Sequence, residues 1–280
     1  MRDMKGGLTI LPSTQVTAAG LHLLFASGTR PTRAAIAQFL TRQRSVQLSH
    51  DPAAEADVEL AVAQGQRPPM GGHNPCAGDA IWVELLRDGL TYDLCGLAPG
   101  PSIGVPEIRH RFDFVSAGGQ AELEMLTIIP GPHLAGGERS IPVLRGMIAI
   151  ARDLTQHFPD LVAIYWAPSG SAIGRRYFES VVTAWLEGGA FPALGLTAFE
   201  EGADGALQSV GLAVWIGQEL RIEPPLTADR VAATRLGVRL INQLVIVGGL
   251  DESERIIAPD GTRLVMQTSR NSEFIRVRRE

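Results

Sequence analysis

The sequence predicts an α+β protein of two lobes, each a mainly antiparallel sheet with helices on one face. Three observations carry that expectation. Asp-Gly pairs stand at 88–89, 204–205 and 260–261 between strand-like runs, and this dipeptide supplies the positive φ angles of a tight hairpin. Amphipathic helical stretches separate the hairpins, so each sheet has a partner for one face. The order strand, helix, strand, Asp-Gly hairpin recurs loosely in both halves, which suggests a structural duplication with little sequence identity. A Gly-rich stretch at 116–120 is the expected joint between an N-terminal lobe, 1–115, and a C-terminal lobe, 121–280.

In chain order, residues 20–28 form a continuous apolar run and predict a buried strand. A helix follows, with Thr32 as its N-cap. Residues 45–51 predict a short strand, and 52–65 a helix stopped by Gly65. Pro and Gly punctuate 66–78 too densely for regular structure. The first hairpin spans 80–97, and RFDFV (111–115) is one more short strand. In the C-terminal lobe, 121–130 is a strand, 140–158 a helix capped by Ser140, 160–167 a buried strand and 171–187 a helix. The last of these carries Tyr177, Phe178, Val181, Val182, Trp185 and Leu186 at helical spacing. The second hairpin lies within 191–225. Thr227 caps a long helix that Gly248-Gly249 ends, with Arg235, Arg239 and Gln243 along one solvated face. The third hairpin covers 254–269, and FIRVRR closes the chain as a strand. Tyr165, Trp166, Trp185, Phe199 and Trp215 are the expected aromatic core of this half.

Composition narrows the function. The 280 residues carry a net charge of −5 with no basic block, which speaks against a nucleic-acid surface. Lys5 is the only lysine, and it stands in a Gly-flanked terminus. A Walker loop or a Schiff-base enzyme needs a well-placed lysine, so neither is expected. No apolar run approaches the roughly 18 residues of a membrane span, and no membrane association is expected. Two cysteines, Cys76 and Cys95, do not make a disulfide framework, and a reducing cytoplasm is the expected compartment.

The stretch YWAPSGSAIGRRYF (165–178) is the most suggestive place for chemistry. Ser169, Gly170 and Ser171, with Arg175 and Arg176 after them, stand between a strand and a helix, where backbone N–H groups can hold an anion. The pattern is neither a Walker loop, a dinucleotide fingerprint nor a G-x-S-x-G elbow. The simpler reading is that Ser171 caps the helix and Gly170 makes the turn. His73 and Cys76 are close, and Cys95 and His110 could join them, but structural zinc uses two close ligand pairs and only one is present. No metal and no cofactor is expected. Glu122 and Glu124 share a strand face, as acid–base or magnesium-holding pairs do, and a solvated face explains them equally. Glu200 and Glu201 open a turn, and Glu107 and Asp113 have no assignable partner. His22, His50, His133 and His157 stand alone, His22 inside a strand and His157 where a helix dipole favours it.

LVAIYWAPSGSAIGRRYFES, then LQSVGLAVWIGQELRIEPP and the Ala/Arg helix after it, resemble a bacterial family known only as domain of unknown function 4261. The match lies in Gly211, Leu212, Trp215, Gly217, Glu219 and Leu220, with AAIAQFL near the N-terminus fitting loosely; it covers mainly 140–250. The resemblance implies a bacterial, soluble α+β protein with no assigned activity and no catalytic residue. On the residues themselves, LAVWI (212–216) reads as a strand segment flanked by glycines. If its face is buried, Glu219 needs a partner. Arg235 is the natural one, giving a structural ion pair rather than a catalytic acid.

These readings favour a non-catalytic binding or adaptor protein with an unknown protein partner or small ligand. The alternative is an enzyme or small-ligand-binding protein with its site at the interlobe cleft near Ser169–Gly174. Self-association through an edge strand at 263–278 would make a homo-oligomer.

Overall fold

A strand buried on both faces is the spine of the first sheet. β1 (Leu21–Ala26) turns Leu21, Leu23 and Phe25 toward the helices and His22 and Leu24 the other way, and none of the five is exposed. The structure is a computed structural model in which residues 20–54, 76, 80–115, 123–258 and 260–280 are described.

Around β1 lie β2 (Gln47–His50), β3 (Ile81–Arg87), β4 (Leu90–Leu97), β5 (His110–Phe112), β6 (Leu123–Pro130), β7 (Leu161–Trp166) and β8 (Ser171–Gly174). They form an eight-stranded sheet in the order β2-β3-β4-β6-β1-β7-β8-β5, antiparallel except for the β5–β8 pair. Its front face carries α1 (Arg33–Leu40), α2 (Ile141–His157) and α3 (Arg175–Leu186). Thr32 caps α1 as expected, its hydroxyl accepting the Ala35 N–H at 3.2 Å. The stripe on α3 is also as expected, with Phe178, Val182 and Trp185 buried. The back face is covered by an irregular strap from the stretch after β4. Ile103, Val105, Ile108 and Phe114 pack on Leu24, Met125, Ala163, Tyr165 and Ala172.

The second sheet is β9 (Ala198–Glu201), β10 (Leu207–Val210), β11 (Glu219–Ile222), β12 (Glu254–Ile257), β13 (Arg263–Thr268) and β14 (Phe274–Arg279), in the order β12-β13-β14-β11-β10-β9. It is antiparallel except between β11 and β14. α4 (Arg230–Val247) packs on one face, and at Gly237 a Cβ would lie 2.6 Å from the Phe199 ring, so glycine there lets helix and sheet approach. One hydrophobic cluster runs from Leu21 and Ile164 in the first sheet to Leu220 and Val277 in the second. At its centre Trp215 meets Trp166 and Trp185, each at 5.9 Å between rings, and Phe191 at 4.8 Å.

The α+β class and the two mainly antiparallel sheets match the sequence reading. All three Asp-Gly turns are present, and Asp88 and Gly89 have φ of 51° and 79°. Several particulars differ. The first sheet draws β6, β7 and β8 from beyond the expected joint at 116–120, which lies outside the described residues. The sheets therefore change over between β8 and β9, because strand pairing and not glycine content decides sheet membership. Of the helix expected over 52–65, only 52–54 are described, and they are helical. Residues 171–174 are strand β8, so the helix starts at Arg175 and Ser171 does not cap it. Asp229, not Thr227, caps α4, accepting N–H groups of Val231 and Ala232 at 2.9 and 3.0 Å; the Thr227 hydroxyl instead donates to the Gly205 carbonyl. LAVWI contains a helical turn, Ala213–Ile216, because Gly211 and Gly217 (φ 91° and 77°) bend the chain in and out of it. β14 lies between β13 and β11, so the stretch 263–278 contains no edge strand; the edges are β12 and β9. Cys76 and Cys95 form a disulfide closing a loop of 19 residues, which differs from the expectation of reduced cysteines and takes both out of the metal-ligand set considered with His73 and His110.

Candidate functional site

The serine turn is closed. Ser169 and Ser171 are fully buried. The Ser169 hydroxyl is 2.7 Å from that of Ser171 and 3.0 Å from the Gly195 carbonyl. Gly170 does make the turn, with φ 63°, and its carbonyl accepts the N–H groups of Arg109 and His110. The Arg109 side chain lies over it, so close that a Cβ would be 2.7 Å from Nε. Arg175 points away, giving Nε and Nη2 to the Thr155 carbonyl at the end of α2 at 3.1 and 3.0 Å. Arg176 is exposed. The five residues are thus neighbours in sequence that do not converge on one open site.

Glu219 is half-buried at the start of β11, and its partner is not Arg235, which is exposed on α4. Its carboxylate accepts the N–H groups of Gly211 at 2.8 Å, Leu212 at 3.2 Å and Ala213 at 3.0 Å, and the Ser209 hydroxyl at 2.5 Å. The helical turn that replaces the expected strand aims these amides inward, and a carboxylate at such a start is favoured. Burial raises the Glu219 pKa, and the four hydrogen bonds oppose that rise.

The outward face of the second sheet is polar and arginine-rich. Gln267, Arg276, Arg221 and Gln208 stand side by side on β13, β14, β11 and β10, with Glu200 beyond them on β9. The row meets the first sheet where the Glu200 carboxylate lies 3.1 Å from His110 Nε2 and 3.8 Å from Arg109. Beside it is an open hollow of about 770 Å³ lined by Arg270, Arg276 and Arg278 with Gln267, Asn271 and Glu223, among others. Three cations face one anion there, a local charge of +2. Glu223 is shared with Arg221 at 3.1 Å and lies 3.7 Å from Arg276. Among the described residues the Arg270 guanidinium has no hydrogen-bond or ion-pair partner, and Arg276 is 58% exposed. A second hollow, about 440 Å³, is lined by Arg87, Arg145 and Arg152. Those arginines are already engaged. Arg87 and Arg152 bind Asp153 at 2.5 and 2.7 Å, and Arg145 stacks over Trp185.

The back face of the first sheet holds polar groups that the sequence left unassigned. His22 is fully buried; its Nδ1 lies 3.0 Å from the Thr127 hydroxyl, and its Nε2 has no partner. Burial lowers its pKa to about 4, so the ring is neutral. Asp93 on β4 is 1% exposed, and neither carboxylate oxygen has a hydrogen-bond partner. Burial first, then Glu84, push its pKa up to about 7, against a smaller pull from His50. Alternation within YDLCG is the signal that placed Asp93 opposite the core, but it reads as a solvated position unless the burial of that face is known. Of the other carboxylates, Glu124 pairs with Arg30 at 2.9 Å, Glu201 pairs with Arg230 at 2.5 Å, and Glu122 lies outside the described residues. Among the described residues no group of three or more His, Cys, Asp or Glu side chains is arranged to hold a metal ion, and no helix is long and apolar enough to cross a membrane. No known family, curated protein or solved structure matches the chain.

Proposed function

We propose that this chain is a binding or adaptor protein, acting without chemistry of its own, and that it captures an acidic segment of a protein partner on the outward face of its six-stranded sheet. The observation that carries this reading is the hollow bordered by Arg270, Arg276 and Arg278 with Glu223 as its single opposing charge. Guanidinium forks match carboxylates in pairs, and a concave, basic, hydrogen-bonding surface offers an acidic peptide both charge and register. Membership of the domain of unknown function 4261 family and a cytoplasmic home are part of the same proposal. In that compartment the Cys76–Cys95 bridge faces reduction.

Fluorescence anisotropy with a labelled deca-glutamate peptide tests the reading. The wild type is expected to bind, more weakly at high salt, and reversal of Arg270, Arg276 and Arg278 to Glu is expected to weaken binding at least tenfold. Reversal of Arg235 and Arg239 on the opposite, helical side should leave it unchanged. Equal binding by all three proteins, or none by the wild type, contradicts the proposal.

A further inference from the structure

The eight-stranded sheet places two carboxylates side by side where a sheet ordinarily avoids them. Glu84 on β3 stands directly opposite Asp93 on β4, and like charges at directly opposed positions repel. His50 on β2 is the next residue along the same row, opposite Glu84. Trp82, two residues before Glu84, shares this face and lies 5.6 Å from the His50 ring. On the inner side the row continues to Ile129 of β6. Ile129 and Trp82 pack with the Cys76–Cys95 disulfide, which fastens the back of the sheet here. Glu84, His50 and Trp82 are only partly buried, so the row opens at the β2 edge.

Within this cluster Asp93 is the anomaly. A buried carboxylate is usually met by backbone amides, hydroxyls or an arginine. Asp93 has none of these at either oxygen. Both oxygens are therefore without a donor and can accept two parallel N–H groups, and the Trp82 indole stands on the same face one row along, opposite Cys95. Two acceptors, a second carboxylate and an aromatic face together match one cation better than any other, because guanidinium donates in pairs and stacks on rings.

We propose that Asp93 and Glu84, with Trp82 at the rim, form a binding site for a guanidinium group. The site is separate from the arginine-bordered hollow and does not depend on it. The guanidinium belongs either to a small free ligand or to an arginine side chain of another protein, and the two sources are separable.

The experiment is calorimetric titration of the full chain at neutral pH with agmatine, with the peptide acetyl-Ala-Arg-Ala-amide, and with butylamine as an ammonium control. Saturable binding of agmatine or of the peptide supports the site. Agmatine alone identifies a free small ligand, and the peptide alone identifies a protein arginine. Asp93→Asn is expected to weaken binding at least tenfold. Trp82→Leu and Glu84→Gln are expected to weaken it severalfold, and they decide the matter if Asp93→Asn fails to fold. No binding of either guanidinium probe overturns the proposal. So does binding that these substitutions leave unchanged, or butylamine binding as tightly as agmatine.

Discussion

Glu219 in the six-stranded sheet and Asp93 in the eight-stranded sheet are both strand carboxylates withdrawn from water, and the chain treats them in opposite ways. Glu219 is met by three backbone amides and a hydroxyl. Asp93 is more deeply buried and is met by nothing. The first is part of the architecture, because the turn at 211–213 is shaped around it. The second is left without a donor, and a buried acceptor without a partner costs about 1–3 kcal/mol. The difference separates a polar group that the fold needs from one that the fold merely tolerates.

The sharpest way to break that contrast is Glu219→Ala. It strips the acceptor from three amides and the Ser209 hydroxyl, and urea unfolding should record a loss of about 4 kcal/mol. A loss below about 1 kcal/mol would mean that water replaces the carboxylate easily. Opening the Cys76–Cys95 bridge with Cys76→Ser tests the other sheet. Closing a loop of 19 residues is worth about 3 kcal/mol in the chain-entropy account, read by the same titration under oxidising conditions. A smaller effect of opposite sign is expected from Asp93→Leu, which removes the unpartnered group and should raise stability by about 1 kcal/mol at pH 8.

That gain has a pH signature. The folded pKa of Asp93 lies near 7, well above its ordinary 3.8, so the folded state holds a proton that the unfolded state has released. Its contribution is complete below about pH 4 and is lost as the pH rises through about 7. The advantage of Asp93→Leu over wild type should therefore grow from pH 4 to pH 8 in thermal unfolding. His22 works in the opposite direction. Its folded pKa near 4 means that its contribution is present above about 6.5 and is lost as the pH falls toward 4, and the Asp93 comparison cancels it because both proteins contain it.

Much of this was legible in the sequence where a residue's own backbone preference decides the structure. The three Asp-Gly turns, the Thr32 cap and the stripe on α3 are of that kind. Errors arose where tertiary context overrides local pattern. LAVWI has strand composition, but Gly211 and Gly217 hold it as a helical turn so that amides reach Glu219. SAIG follows a turn and precedes a helix, yet it pairs with β7 as β8 and leaves Ser171 in the core. Cys76 and Cys95 meet in a small cluster with Trp82, Ile103 and Ile129 on the back face, a long-range neighbourhood that is not written between them. Asp93 was invisible as a candidate for the same reason. Its alternation is that of a solvated position, and only the tertiary burial of that face, which leaves Asp93 1% exposed, makes the position dry.

Carbon-detected NMR titration of the Asp93 carboxyl, assigned by comparison with Asp93→Asn, tests the contrast most directly. A midpoint near pH 7 in the ligand-free protein, moving downward when agmatine is added, is the predicted result. A midpoint near 4 without ligand would mean that the carboxylate already has water or a donor beside it, and the account of Asp93 as an unfilled acceptor would be wrong.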